Sequence, residues 1–287
     1  MNNWEKIKFK YDQFSISEKL ITINIILFII PFILSTFIFL FNLSFDNFIY
    51  WVELSPRFSS LLIKPWTLIT YSFFHLHISH IFWNMLILYY AGSIFLNLFK
   101  KETFINVYFL GVLSGAIIFI LSYSLFPVFK GRYPSMIGAS AGVMAVMIFV
   151  CSYLPQKEVR LIFFNLKLGY IGLALVAIDL VMIPYGNSGG RISHLGGAAL
   201  GFFYAYYLSN GTDIGLGFEK LWKKTINYFS KKKLNTVYKS SQDNNFSLST
   251  KNPDQEKIDK ILDKISVSGY ESLSKDEKEI LFRAGKE

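Results

Sequence analysis

Charge is scarce in the middle of this chain. Charged residues make up 17% of its 287 positions, against about a quarter in an ordinary soluble domain. They crowd both termini and thin out between Ile21 and Leu208, which excludes a soluble globular domain over that stretch. Cysteine is scarcer still: Cys151 stands alone, so no intrachain disulfide framework can form. Among the apolar segments Asp179 is the one carboxylate. That excludes an intramembrane aspartyl protease, which needs two membrane carboxylates sharing a proton. There is no H-E-x-x-H metal motif. A removable signal peptide is not expected either. The first apolar run follows a polar stretch, is too long for a signal h-region and lacks a small-residue cleavage site.

What is present is apolar length. The chain is 52% hydrophobic, with a mean hydropathy of +0.37. A helix needs roughly 20 residues to cross a bilayer, and the segments 20–42, 78–99, 103–126, 134–154, 168–184 and 191–209 reach or approach that length. Pro127, Pro134, Pro155 and Pro184 stand at their ends, where each removes a backbone donor and stops a helix. The fold class expected is an all-α membrane protein, a six-transmembrane-helix bundle with a small cytoplasmic helical tail. Lysine and arginine gather on one side, at Lys6, Lys8, Lys10, Lys19, Lys100, Lys101, Lys157, Arg160, Lys167, Lys220, Lys223 and Lys224. The positive-inside rule puts that side in the cytoplasm with both termini. The 43–77 connection is then external, with Trp51 and Trp66 at the interface. Four parts follow: a cytoplasmic N-terminal segment (1–19), the membrane domain (20–210), a basic amphipathic segment and linker (211–252), and a small helical hairpin (253–287). In the hairpin Ile258, Ile261, Leu262 and Ile265 share one helical face, and Ser274 with Glu277 forms a capping box. The partner of this tail is unknown. The net charge of +9 lies largely beside hydrophobic spans, where anionic lipid rather than nucleic acid is the expected counterpart.

Polar side chains at membrane depth are costly and mark function. The candidates are His80 and Asn84 in span two, Ser140 in span four, Asp179 in span five and His194 in span six. Spans two, four and six run in the same direction. Counted along them, His80, Ser140 and His194 fall in the outer third of the bilayer. Gly138 and Gly142 flank Ser140, and Gly197 and Gly201 follow His194. Both pairs have the GxxxG spacing that lets helix backbones approach closely. A serine hydroxyl needs an adjacent base to act as a nucleophile, and His194 can take that proton and pass it to a leaving amine. His80 and Asn84, four residues apart, share a helix face and carry the N–H donors an oxyanion needs. His75, His77 and His80 form an H-x-H-x-x-H cluster. On one helix His75 and His80 would lie about 140° apart, so no metal site and no cofactor are expected. Asp179 is expected to bond a neighbouring helix.

At these residues the chain resembles the rhomboid intramembrane serine proteases of the bacterial six-helix type. The stretches that carry the resemblance are H-L-H-I-S-H-I-F-W-N (75–84), G-A-S-A-G (138–142) and H-L-G-G-A-A-L-G (194–201), within coverage of about 20–210. The resemblance implies Ser140 as nucleophile and His194 as general base, a dyad without a carboxylate. It implies His80 and Asn84 as oxyanion donors, His75 in the external loop in a structural or water-organising role, and single-pass transmembrane proteins as substrates. It also implies, with the Asn-, Ile-, Lys- and Phe-rich usage, a bacterial plasma membrane. Three departures stand out. Ala141 follows the serine where the family usually has glycine. Met144 stands where a tyrosine often packs on the histidine. Trp66-Thr67 replaces a frequent Trp-Arg pair. Two other functions compete: a transporter, which would show inverted repeats that are absent here, and a catalytically inactive rhomboid-like protein that binds membrane clients.

Overall fold

The computed structural model describes residues 2–42, 47–161, 164–229 and 253–284. The chain divides into two compact units, Met1–Lys232 and Lys233–Glu287.

The first unit is built from helices. They are α1 (Asn3–Gln13), α2 (Ile16–Leu40), α3 (Asn47–Val52), α4 (Phe58–Ile63), α5 (Thr67–Thr70), α6 (Ile78–Leu96), α7 (Lys101–Leu125), α8 (Ser140–Tyr153), α9 (Leu168–Val181), α10 (Ser188–Ser209) and α11 (Leu216–Phe229). One departure from an all-α fold lies between α8 and α9. Strands β1 (Glu158–Leu161) and β2 (Phe164–Lys167) pair antiparallel, Glu158 opposite Lys167 and Leu161 opposite Phe164. The N-terminal segment also folds. Capping boxes at Asn2–Glu5 and Ser15–Glu18 open α1 and α2, each satisfying orphan N–H groups at a helix start.

The burial pattern is that of a protein in lipid. Ile25, Ile26, Ile29, Ile30, Ile33 and Phe37 of α2 are exposed, while Asn24, Asn84, Asn106 and Asp179 are buried. An exposed apolar surface of that extent is unstable in water and requires a nonpolar medium. Among the described residues three helices, α2, α6 and α7, are long and apolar enough to cross a bilayer. Helices α8 and α9 are apolar but have 14 residues each, about 21 Å at 1.5 Å per residue, short of a ~30 Å hydrocarbon core.

The shortness of α8 corrects the expected span 134–154. Residues 134–139 are not helical. Met136 exchanges two backbone hydrogen bonds with Leu54, each 2.9 Å, and Gly138 N donates to Tyr71 O at 2.9 Å. The extended segment satisfies its polar groups on the 47–77 connection instead of within a helix, as a chain at membrane depth must. Ser140 therefore opens α8 instead of lying inside it, and its depth cannot be counted along a helix from Pro134.

That connection is fixed in turn. Trp66 Nε1 donates to Trp51 O at 2.8 Å and the two rings stack 6.2 Å apart. Lys64 is almost wholly buried. Its Nζ donates to Tyr50 O and lies 3.4 Å from the centroid of the Tyr50 ring. Its carbonyl accepts from both the backbone N and the Oγ1 of Thr67. Lys64 thus supplies an anchor beside Trp66-Thr67, where a Trp-Arg pair was missed.

The centre of the unit is the packing of α7, α8 and α10. A Cβ on Gly197 would overlap the Ala141 carbonyl, and one on Gly201 the Ala145 carbonyl. On the α7 side a Cβ at Gly196 would lie 3.0 Å from the Gly115 Cα, and Ser114 Oγ donates to Gly196 O at 2.8 Å. One of the two expected GxxxG pairs therefore works as expected, and the other does not. Gly138 is outside the helix, and Gly142 packs on Tyr108 and Val112 of α7, away from α10. Ala141 is accommodated because Gly115 leaves room for its methyl: a Cβ on Gly115 would come within 2.6 Å of the Ala141 Cβ.

The basic segment expected over 219–238 is helical as α11 (Leu216–Phe229), and its remainder, with the 239–252 linker, lies outside the described residues. Asn106 of α7 ties α11 down. It accepts from Trp222 Nε1 at 3.2 Å and donates to Glu219 at 3.3 Å. The second unit holds α12 (Pro253–Ser268) and α13 (Lys275–Ala284), and among the described residues Ile261 and Leu273 are its buried apolar side chains. Ser274 and Glu277 cap α13 reciprocally at 2.8 and 3.2 Å.

Candidate active site

Ser140, His80 and His194 line one cleft of about 420 Å³, together with Tyr71, His77, Gly138 and Ser193. Each comes from a different element. Ser140 is the first residue of α8, His80 lies in the first turn of α6, and His194 is in the second turn of α10. No side chain caps the α8 N-terminus. Its first-turn N–H groups, which have no partner within the helix, are thus available to an anion in the cleft. Among the described residues Ser140 and His194 share this cleft without a hydrogen bond between them. Catalytic hydrogen bonds are often long without substrate and tighten when it binds.

His80 owes its place to Gly138. The glycine has φ +128, and a Cβ there would sit 2.5 Å from the imidazole Cε1. Such a backbone angle strains any other residue, and the ring occupies the only space a side chain could take. Gly138→Ala is therefore expected to lower activity on the order of 100-fold, since displacements near 1 Å carry that cost. Wild-type turnover in the alanine variant would contradict this placement.

Asn84 is brought elsewhere. It is buried, outside the cleft lining, and its Nδ2 lies 3.2 Å from His75 Nε2. The same Nε2 accepts from Ala139 N at 3.3 Å. His75 thus ties α6 to the backbone just before Ser140. The helical-wheel separation of His75 and His80 does not apply, because α6 begins at Ile78. Their rings meet edge-on with centroids 5.0 Å apart. Among the described residues no three His, Cys, Asp or Glu side chains gather to hold a metal.

Burial, with the nearby His80 adding to it, pushes the His75 imidazole down to about 3. An unfolded chain takes up this proton below the ordinary value of 6.5, and the folded one does not. Stability must therefore fall as pH drops from 6.5 toward 3, by about 1 kcal/mol at pH 5.5 from this group. Thermal unfolding in detergent should follow that slope, and His75→Gln should flatten it. An unfolding temperature independent of pH across this window would contradict a neutral, buried His75.

Asp179 is the residue whose place the sequence left open. Its Oδ2 lies 3.0 Å from His194 Nδ1, and its Oδ1 lies 3.2 Å from Arg191 Nη1. It does bond a neighbouring helix, and the residue it bonds there is His194. Met144, in place of a tyrosine, packs with Ile148 and Ala198 against Leu175 and Val176, giving His194 no polar partner.

The rhomboid domain family matches residues 63–211, just over half of the chain and the whole of this cleft. The chain belongs to the rhomboid family. A rhomboid relative in Mus musculus, "Presenilin-associated rhomboid-like protein, mitochondrial", is 32% identical over 170 residues, covering 58% of this chain. The Homo sapiens protein of that name is 32% identical over 169 residues, with the same 58% covered. "RHOMBOID-like protein 12, mitochondrial" of Arabidopsis thaliana is 32% identical over 146 residues, covering 47% of this chain. The matches span 41%, 41% and 44% of those relatives' own lengths. All three carry mitochondrial names, which overturns the bacterial plasma membrane expected from the resemblance and the composition. Outside the rhomboid domain, residues 243–286 match a family of unknown function, DUF6576.

Proposed function

We propose that this rhomboid protein is an intramembrane serine endopeptidase that cuts single-span membrane proteins within or near their transmembrane segment. Ser140 is the nucleophile and His194 the general base. The observation that carries this is the placement of Ser140 at the open N-terminus of α8, in one cleft with His194 and His80.

In this mechanism the substrate segment unwinds into the cleft, since a peptide bond inside a helix is shielded. Ser140 Oγ attacks the carbonyl carbon and its proton passes to His194 Nε2. The oxyanion is received by first-turn N–H groups of α8 and by His80, donors set in place before the charge develops. His194 returns the proton to the leaving amine, and water then hydrolyses the acyl-enzyme with His194 again as base. Asn84 acts from behind this site, through His75 and Ala139 N. Helices α2, α6, α7 and α10, together with α8 and α9 and the non-helical chain that flanks those two short helices, make six crossings, which puts both ends of the bundle on its lysine-rich side. The membrane domain runs over 20–210, followed by the basic segment and linker (211–252) and the hairpin (253–287). On the names of its relatives, the membrane is mitochondrial.

The test is cleavage of single-span substrates co-reconstituted with the full chain in vesicles. The wild type is expected to cut them, and His194→Ala to leave them intact. Cleavage undiminished in His194→Ala would overturn the assignment of the base. A wild type that retains single-span proteins without cutting any of them would instead be a client-binding protein.

A further inference from the structure

His194 is held from a helix other than its own. Asp179 of α9 meets its Nδ1 at 3.0 Å, and the Asp179 side chain is only 11% exposed. A buried charge is costly unless it is paired, and Arg191, one turn before His194 on α10, lies 3.2 Å from its other oxygen. Arg191 is itself oriented, its Nε donating to Gly186 O at 3.2 Å. The position of Asp179 along α9 is fixed by packing. A Cβ on Gly172 would lie 2.7 Å from the Cys151 Cβ, so α9 presses closely on α8. One turn on, Leu175 and Val176 pack on Met144, Ile148 and Ala198. Asp179 follows at the next turn, on the same face.

We propose that Asp179 is a positioning residue for His194, completing a Ser140–His194–Asp179 relay in which Arg191 holds the other carboxylate oxygen. This rests on Ser140 and His194 being the catalytic pair. A proton on Nδ1, donated to Asp179, leaves Nε2 free as the acceptor for the Ser140 proton. When Ser140 Oγ bonds to the substrate carbon, that proton moves to Nε2 and the imidazolium forms beside a carboxylate. Asp179 takes no proton. When the C–N bond breaks, the Nε2 proton goes to the leaving amine. The other titratable groups around the cleft are His80 on α6, and Tyr71 and His77 from the connection before it.

The test uses the full chain and a single-span substrate, with kcat and KM measured across pH. Asp179→Asn is expected to lower kcat on the order of 10²–10⁴-fold, because an amide can hold the ring in the wrong tautomer, with KM little changed. Asp179→Ala should also move the acidic limb of the profile to lower pH, and Asp179→Glu should recover part of the rate. Arg191→Gln keeps the Asp179–His194 contact and removes the counterion, so its acidic limb should move the other way, to higher pH. Asp179→Asn with wild-type kcat and pH profile overturns the proposal, as does a lowered unfolding temperature with both unchanged. If Asp179→Asn fails to fold, an unmoved limb in Arg191→Gln overturns it instead. Undiminished cleavage in His194→Ala would be a different failure, that of the catalytic pair itself.

Discussion

Ser140→Ala, His194→Ala and the double variant should lose cleavage to the same extent, each by at least ~10³-fold. Groups that act as one unit in proton transfer are strongly non-additive: removing the second costs almost nothing once the first is gone. The two side chains line one cleft but come from α8 and α10, 54 positions apart in the sequence numbering of Ser140 and His194. Independent contributions would therefore show as a double variant far worse than either single one. Cleavage rates for the three variants against one single-span substrate measure this directly. Additive losses would mean that the two residues do not share a proton.

Gly197→Val should separate α8 from α10 and lower turnover on the order of 100-fold or more. A side chain there meets the backbone of Ala141, carbonyl and Cα together, and backbone cannot rotate away as a side chain can. Gly197 lies one turn after His194 and Ala141 lies next to Ser140, so the displacement falls on the pair proposed to be catalytic. Small residues at such crossings are what allow membrane helices to pack closely. The control is Gly217→Ala on α11, where an added Cβ meets nothing within 4 Å. That variant should cleave like the wild type and unfold no earlier. Equal effects from the two substitutions, in paired cleavage and thermal-unfolding assays, would contradict the packing described.

The sequence made the residues of the cleft legible because polar groups stand out in an apolar background. Ser140, His80 and His194 could be singled out on cost alone, and Gly197 and Gly201 announced a close crossing. The start of α8 was hidden. Residues 134–139 read as the first turns of an apolar helix, and their hydrogen bonds go to Leu54 and Tyr71, partners too distant in sequence for any local pattern to report. Asn84 was legible as buried and polar, but not as a partner of His75. Asp179 was legible as a bond to a neighbouring helix but not as a partner of His194, since position along a helix does not fix rotation about its axis. Two missed features did leave signals. The Asn2–Glu5 and Ser15–Glu18 spacings mark helix starts, and the alternation in Glu-Val-Arg-Leu over 158–161 is that of a strand.

The central claim is that Ser140 is a nucleophile activated in a cleft at membrane depth. The most direct measurement is covalent labelling of the purified full chain by a fluorophosphonate, which reacts only with an activated serine. The wild type should be labelled at Ser140, His194→Ala should label far more slowly, and Ser140→Ala should not label at all. Labelling that persists in Ser140→Ala would contradict the account.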